Sequence, residues 1–161
     1  MAYPGFHASK WITPLIERQI QPAGIDLRIS KIFVFKGRGQ LGAESKKLAE
    51  TIELEPYENK WVLEKGAYKI RFAEIVSVPE DAVGFCYPRS SLLRMGASLL
   101  CAVWDPGYMG RGESLLIVEN PHGIEIERDA RIAQLVFIKL VEKPQKTYDG
   151  SYQGENITDL D

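Results

Sequence analysis

The sequence contains few of the residues that bind transition metals. Its 161 residues include two cysteines and two histidines. Cys86 and Cys101 lack the paired spacing of a zinc site, so we interpret them as free thiols, buried as small apolar side chains. His7 and His122 are far apart in the chain, and we expect both at the surface. This composition argues against a metal centre built from cysteine and histidine.

An excess of one charge and long apolar runs are also lacking. The 20 Lys and Arg residues and 22 Asp and Glu residues leave a net charge of −2. That balance provides no global basic field to attract nucleic acid. No apolar run approaches the roughly 20 residues of a membrane-spanning helix, and the first residues show no charged-then-apolar signal pattern. We therefore expect a soluble, cytoplasmic protein with no nucleic-acid partner and no membrane association.

Short stretches of alternating apolar and polar residues fill most of the chain. The alternation is clearest over residues 25–30, 68–72 and 131–138, and turn residues separate these stretches from their neighbours. Helical patterns occur over residues 11–19 and 91–95, with a brief helical turn also expected over residues 43–50. The pattern predicts an all-β fold, a distorted β-barrel or jelly roll with one or two short helices.

Two further segments have a distinct composition. Residues 97–104 are almost wholly apolar, which predicts a strand covered on both faces. Residues 147–161 are polar and interrupted by glycine, so they cannot supply core. We expect one β-barrel domain over residues 1–146 and a flexible C-terminal lid over residues 147–161.

The stretch from Cys86 to Asn120 carries the candidate chemistry. Ser90 and Ser91 stand between two arginines, a cationic and hydroxyl-rich turn that suits a polyphosphate. Further on, a single carboxylate, Asp105, begins an Asp-Pro-Gly-Tyr turn. A carboxylate beside an aromatic ring suits a sugar and an activated water.

Five short motifs occur in an order that resembles the trimeric dUTPase and dCTP deaminase superfamily. They are Ala23-Gly-Ile-Asp-Leu27, Pro88-Arg-Ser-Ser-Leu92, Val103-Trp-Asp-Pro-Gly-Tyr108, Arg131-Ile-Ala-Gln-Leu-Val-Phe137 and Tyr152-Gln-Gly154. The resemblance covers most of the chain. It implies a distorted barrel of the dUTPase type (β-clip), a homotrimer, and a deoxynucleoside triphosphate bound with Mg²⁺ between subunits.

The two activities of that superfamily differ at one position. Zinc-free deaminases carry a glutamate on the strand after the Asp-Pro-Gly turn, three residues before the asparagine that ends it. In this chain that position is Ile117, and Glu119 does not occupy it. Glu113 falls where dUTPases carry an acidic residue. The segment from Arg89 to Arg94 and the Tyr-Gln-Gly tail look more like the deaminase branch. The resemblance therefore favours dUTP hydrolysis, with dCTP deamination, alone or combined with it, as the alternative.

The resemblance implies a role for each site residue. Asp105 would act as the water-orienting base, with Arg94 also at the reaction centre, and Tyr108 would stack on the deoxyribose. The phosphates would be held by Arg89, Ser90, Ser91 and Gln134. Asp26 would orient a neighbouring subunit's site or a magnesium-bound water. Tyr152 and Gln153 would close over the nucleotide. Mg²⁺ would be held mainly by substrate phosphates and water, without protein ligands.

Less specific interpretations exist for several of these residues. Asp105 could simply start a turn, Ser90 and Ser91 could cap a helix, Arg94 could form a structural ion pair, and Asp26 could lie on a plain surface strand. A non-catalytic nucleotide-binding or structural β module is the hypothesis of another class.

Overall fold

A computed structural model describes residues 1–158, and these residues form a β-rich fold with two short helices. The strands are β1 (Ile12–Thr13), β2 (Ile20–Gln21), β3 (Gly24–Phe35), β4 (Gln40–Leu41), β5 (Lys46–Lys47), β6 (Thr51–Leu54), β7 (Lys60–Leu63), β8 (Gly66–Phe72), β9 (Ile75–Ser77), β10 (Ala82–Pro88), β11 (Ala97–Leu100), β12 (Met109–Gly110), β13 (Glu113–Val118), β14 (Ile124–Glu127) and β15 (Arg131–Lys139). The helices are α1 (Gly5–Ala8) and α2 (Ser90–Arg94). In this described part, the helices are too short to cross a membrane.

The largest sheet has eight strands and curls into a nearly closed barrel. Its order is β10-β15-β3-β8-β13-β11, and β2 and β6 also pair with β3. An isolated bridge between Gly84 on β10 and Trp104, which follows β11, brings the two edges together. The predicted all-β fold and distorted barrel are confirmed.

Strand β3 runs through the centre of the molecule. Ile25, Leu27 and Ile29 are fully buried, as their alternation predicts. Asp26 is also buried, with 1% of its surface exposed, because β2, β15, β8 and β6 pair along β3. The interpretation of Asp26 as a plain surface position is therefore wrong.

The N-terminal segment differs from the prediction. Residues 11–19, expected as one helix, form the end of a 3-10 turn, the two-residue strand β1 and a second 3-10 turn, Glu17–Gln19. Thr13 precedes a proline, which disfavours helical backbone at Thr13. It pairs with Ile75 on β9 instead.

The apolar run 97–104 is also not a single strand. β11 ends at Leu100, where its pairing with β13 stops. The chain then leaves the sheet, and Leu100 and Val103 are 57% and 52% exposed. The expectation of a strand covered on both faces is wrong, and this departure leaves an apolar wall open beside Asp105.

Candidate active site

The backbone of β10 holds the turn that contains Asp105. Trp104 and Gly84 exchange two backbone hydrogen bonds, of 2.8 and 3.0 Å. A Cβ atom on Gly84 would lie 2.9 Å from the Cβ of Trp104, so the two backbones approach this closely only because residue 84 is glycine. The buried Trp104 ring anchors the segment, and the next residue, Asp105, is exposed.

Backbone bonds on two sides make the Asp105 turn rigid. The Tyr108 N–H donates to the Asp105 carbonyl over 3.1 Å, and Gly107 has φ of +85°, which favours glycine. Val78 binds the same turn through its backbone. The Val78 N–H donates to the Tyr108 carbonyl, and the Val78 carbonyl accepts from the Gly107 N–H. The interpretation of Asp105 as a turn residue is compatible with function, because its carboxylate remains at the surface.

A cleft of about 410 Å³ lies beside this turn, a size that suits a small-molecule site. Of the predicted site residues, it is lined by Asp105, Tyr108 and Tyr152. Its walls are largely apolar, and Leu100 and Val103 contribute to them. The chain's departure from β11 thus creates one wall of the cleft.

Tyr108 lines the cleft but is mostly buried, with 7% of its surface exposed. Its ring makes edge contacts with Trp104, at 5.4 Å between centroids, and with Tyr148, at 5.7 Å. Its hydroxyl donates to the Glu155 carboxylate over 2.7 Å. Burial and then this carboxylate raise the pKa of Tyr108 well above its usual range, so the phenol stays protonated. A sugar could stack on this ring only if the tail moved.

The C-terminal tail lies across the Asp105 turn of its own chain. The Gln153 side chain accepts from the Met109 N–H and donates to the Gly107 carbonyl, both over 2.9 Å. Tyr152 is 39% exposed, and the Lys46 ammonium lies 4.5 Å from its ring centroid. The tail therefore has a defined position over residues 148–157, and positions 159–161 of the predicted lid lie outside the described residues.

The predicted phosphate cradle surrounds a buried ion pair. The Arg89 Nε and the Arg131 guanidinium each lie 3.1 Å from the Asp26 carboxylate. Burial raises the pKa of Asp26, and the attraction of Arg89 and Arg131 opposes that shift. Asp26 therefore orients two arginines of its own chain.

Helix α2 carries the predicted hydroxyl groups. Its N-cap is Arg89, which makes no side-chain capping bond, so Ser90 and Ser91 lie inside the first turn and the capping interpretation is wrong. Both serines are exposed. Arg94 is also exposed, and no ion pair of Arg94 is seen within residues 1–158, which disfavours a structural ion pair. Gln134 on β15 faces Asp26 on β3 and Tyr87 on β10 in the register of the sheet.

The predicted site residues of one protomer fall into two groups, and only one of these groups lines the cleft. We call the segment Trp104–Arg111 with the docked tail the bend region, and Asp26, Arg131 and residues 89–94 the cradle region. Among the predicted residues of the cradle region and Gln134, none lines the described cleft. The cleft of one protomer therefore contains the bend region without the cradle region.

Several residues at these places were missed from the sequence. Glu155 contacts Tyr108, but it lies in a polar tail where no pattern distinguishes it. Arg131 begins the motif that contains Gln134, so the motif itself was the available signal. Glu113 was not missed, because the resemblance already matched it to the acidic residue of dUTPases. It lines the cleft and pairs with Lys69 at 2.9 Å and Arg71 at 3.0 Å.

The position of the deaminase glutamate is apolar. Ile117 lies on β13 between Ser98 of β11 and Ala67 of β8, and it is half-buried. Glu119 is exposed beyond the end of β13 and pairs with Lys65 at 3.0 Å. Over residues 1–158, no three His, Cys, Asp or Glu side chains are grouped to hold a metal ion.

The family model described as dCTP deaminase-like matches residues 7–140. The chain belongs to the dUTPase and dCTP deaminase superfamily. Within this superfamily, the chain is 49% identical over 138 residues to a probable deoxyuridine 5'-triphosphate nucleotidohydrolase of Aeropyrum pernix, covering 86% of this chain and 87% of that protein. It is 46% identical over 144 residues to the deoxyuridine 5'-triphosphate nucleotidohydrolase of Methanocaldococcus jannaschii, covering 87% and 90%.

Solved structures of the superfamily share the fold. The 2'-deoxycytidine 5'-triphosphate deaminase of Agrobacterium tumefaciens matches with a TM-score of 0.64 and 19% identity, over 84% of this chain and 48% of that chain. A dUTPase of Staphylococcus bacteriophage 80alpha, solved with dUpNHpp, matches with a TM-score of 0.50 and 19% identity, over 89% and 92%. At such identities, the likeness concerns the barrel alone.

Proposed function

We propose that this chain is a dUTP diphosphatase that hydrolyses dUTP to dUMP and pyrophosphate. Relatives up to 49% identical are named deoxyuridine triphosphate nucleotidohydrolases, which supports an enzyme of this kind. The observation that carries the proposal is the pairing of an exposed carboxylate, Asp105, on a rigid turn with an apolar residue, Ile117, at the deaminase position. The chain has a water-orienting acid but lacks the deaminase proton carrier.

Asp105 accepts a proton from the attacking water. The water oxygen forms a bond to the α-phosphorus, the bridge to the β-phosphate breaks, and pyrophosphate leaves. An exposed carboxylate at the edge of the cleft is accessible to both water and a sugar hydroxyl. The rigid turn supports this role, because it keeps the carboxylate in one place as the substrate binds.

The cradle region binds the phosphates. Ser90 and Ser91 offer exposed hydroxyls, and Arg94 offers an exposed guanidinium. The Asp26 carboxylate holds Arg89 through its Nε, which leaves other N–H groups for phosphate oxygens. Gln134 contributes from the neighbouring strand, half-buried beside Asp26.

A second copy of the chain completes the site in a homotrimer. In one protomer the cleft is lined by the bend region and not by the residues of the cradle region, which supports a site built from a bend and a cradle of different copies. This arrangement gives each interface one nucleotide site. A cytoplasmic location stays a prediction.

We expect Mg²⁺ to be held by the substrate phosphates and water, because the described residues of the site offer few free protein ligands. The carboxylates of Asp26 and Glu113 are occupied by Arg or Lys side chains, and Asp105 is the exposed acid of the predicted site. When bound, the ion would neutralise charge on the substrate phosphates. Asp105 would hold it through a water molecule.

Substrate choice depends on the bend region and the tail. The exposed backbone of the segment after β11 offers N–H and C=O groups to the uracil edge. Tyr108 excludes a 2'-hydroxyl once the tail opens its face. Tyr152 and Gln153 then close over the nucleotide as a lid.

The experiment incubates the protein and Mg²⁺ with dUTP or dCTP and measures pyrophosphate and ammonia. Pyrophosphate from dUTP without ammonia from dCTP is the expected result. Ammonia from dCTP would instead show deamination, the activity named for the Agrobacterium tumefaciens structure. Nucleotide binding without either product would indicate a non-catalytic module.

A further inference from the structure

A second buried carboxylate lies behind the cradle region. Glu74, between β8 and β9, has 0% of its surface exposed, and the proposed hydrolysis gives it no role. Its Oε1 accepts from the Gln19 side chain over 2.8 Å and from the Arg28 Nε over 2.7 Å, and its Oε2 accepts from the Arg28 backbone N–H over 3.0 Å. Burial raises the pKa of Glu74, and the bonds from Arg28 and then Gln19 oppose that shift. Because every partner donates, the arrangement suits the ionised carboxylate, which accepts at both oxygens.

Gln19 connects Glu74 to the cradle region. Its side-chain amide also donates to the Asp26 carbonyl over 2.8 Å, and Gln19 is itself fully buried. Gln19 ends the second 3-10 turn, in which the Arg18 carbonyl accepts from the Arg131 guanidinium. The Arg131 guanidinium also donates to the Asp26 carboxylate. Both partners of Arg131 are thus held in place by the amide that Glu74 binds.

Arg28 connects Glu74 to the same region by a second route. On β3, the Arg28 backbone lies opposite Arg131 of β15 in the register of the sheet. The outer side of the Arg28 guanidinium lies 3.2 Å from the Asp129 carboxylate, whose side chain is 53% exposed. Glu74 therefore supports β3 directly at Arg28 and, through the glutamine, two residues earlier.

The backbone around Glu74 is fixed to the bend region. The Ala73 carbonyl accepts from the Arg111 Nε over 3.1 Å. After Glu74, β9 pairs with β12, and Val78 exchanges backbone bonds with the turn of the bend region. This one segment thus contacts the bend region through its backbone and the cradle region through a side chain.

We propose that Glu74 is a positioning residue for phosphate binding, which fixes Arg89 and Arg131 of the cradle region relative to the bend region. It acts through Gln19 and Arg28, since a fully buried side chain does not itself contact a nucleotide. The inference rests on the proposed function, because it takes the cradle region as the site of the phosphates. Loss of Glu74 should leave the base and sugar contacts intact and weaken the binding of the phosphates.

The test compares a ligand with three phosphates, dUpNHpp, and a ligand with one, dUMP, by calorimetry on the full-length protein with Mg²⁺. Glu74→Gln keeps the size of the side chain but turns one acceptor oxygen into an NH₂ group, which then faces an N–H of Gln19 or Arg28. Kd for dUpNHpp should rise about tenfold, and Kd for dUMP should rise less than about twofold. An unchanged Kd for dUpNHpp, or equal rises for both ligands, would overturn the proposal.

Two further variants control this comparison. Gln19→Met removes the link to Asp26 and leaves Glu74 bonded to Arg28, so it should show the same phosphate-dependent loss even if Glu74→Gln does not fold. Asp129→Asn removes the charge of the outer partner of Arg28 and should keep wild-type affinity for both ligands. A loss in Asp129→Asn as large as that in Gln19→Met would assign the effect to β3 in general and contradict the proposal.

A measurement without nucleotide separates the role of Glu74 from the proposed function. The Arg89 Nε lies 3.1 Å from the Asp26 carboxylate, so NMR can follow the hydrogen exchange of its Nε–H group. That exchange should become faster in Glu74→Gln and stay at the wild-type rate in Asp129→Asn. Unchanged exchange in Glu74→Gln would contradict the role of Glu74 alone. A wild-type protein that does not bind dUpNHpp would instead contradict the proposed function.

Discussion

The bend region and the cradle region are held by different forces. The bend region is held by aromatic packing around Trp104 and Tyr108 and by backbone bonds to β10 and the tail. The cradle region is held by a carboxylate, Asp26, that is removed from water between two arginines. Packing fixes the bend while leaving its acid exposed, so that acid is available for chemistry. In the cradle, part of the charge that could bind phosphate also maintains the fold.

This contrast indicates which substitutions alter turnover and which alter stability. Asp105 contributes no side-chain contact that the turn needs, since the turn is closed by backbone bonds. Arg131, by contrast, neutralises a buried charge. We therefore expect changes in the bend to affect catalysis and changes around Asp26 to affect folding first.

The largest expected effect is from Asp105→Asn. The amide keeps the size of the side chain but cannot take a proton from water, so kcat for dUTP should fall by about 10³-fold. The melting temperature and dUTP affinity should change little. Asp129→Asn, the same change at another exposed position, is the control and should keep wild-type kcat. An Asp105→Asn variant with kcat within tenfold of wild type would remove Asp105 from its proposed role.

The second prediction tests whether the two regions meet across subunits. Mixed trimers are formed from Asp105→Asn chains and Ser90→Ala/Ser91→Ala chains, both expected to be weakly active. If each site takes its bend from one chain and its cradle from another, about one quarter of the sites in an equal mixture carry both intact parts. Activity should then rise at least tenfold above either variant alone. An unchanged activity in verified mixed trimers would place the whole site within one chain.

The sequence predicted the barrel but not the separation of the two regions. Alternation in residues 25–30 and 131–138 identified β3 and β15, because period-two burial is a local property. The tail over Tyr108 was not predictable in that way, since Gln153 binds backbone groups that are distant in sequence. The prediction of one strand over residues 97–104 was wrong, because apolar composition does not show where pairing with a neighbouring strand ends. Asp26 appeared as one polar position in an alternating strand, and only the strands paired around it explain its burial.

The third prediction concerns the buried charge of the cradle region. Arg131→Met leaves Asp26 with Arg89 alone, which should lower the free energy of unfolding by about 2 kcal/mol at pH 7.5 in urea titrations. Lys143→Met removes an ion pair with Glu80 whose side chains are mostly exposed, and it should cost less than 0.5 kcal/mol, roughly the value of a surface pair. Equal losses in both variants would contradict a structural role for the buried pair.

The same variant has a defined pH dependence. The pKa of Asp26 is already raised by burial, and the loss of a guanidinium raises it further. An acid with a raised folded pKa favours the folded state when protonated, and this contribution is lost as pH rises through that pKa. The deficit of Arg131→Met should therefore be largest at neutral pH and shrink as the pH falls through the raised pKa. A deficit that is constant from pH 7.5 to pH 4.5 would contradict this explanation.

The smallest expected effect concerns the hold of the tail on the bend region. The Lys46 ammonium lies over the Tyr152 ring and within 3.3 Å of its hydroxyl, while the neighbouring Lys47 points to the other side of β5. Because an exposed cation–π contact is worth about 0.5–1 kcal/mol, Lys46→Ala should raise KM for dUTP about threefold with little change in kcat. Amide exchange in residues 148–157 should also become faster, which a change confined to substrate contacts would not produce. Lys47→Ala removes the same charge without the ring contact, so equal shifts in both variants would assign the effect to general electrostatics instead of the tail.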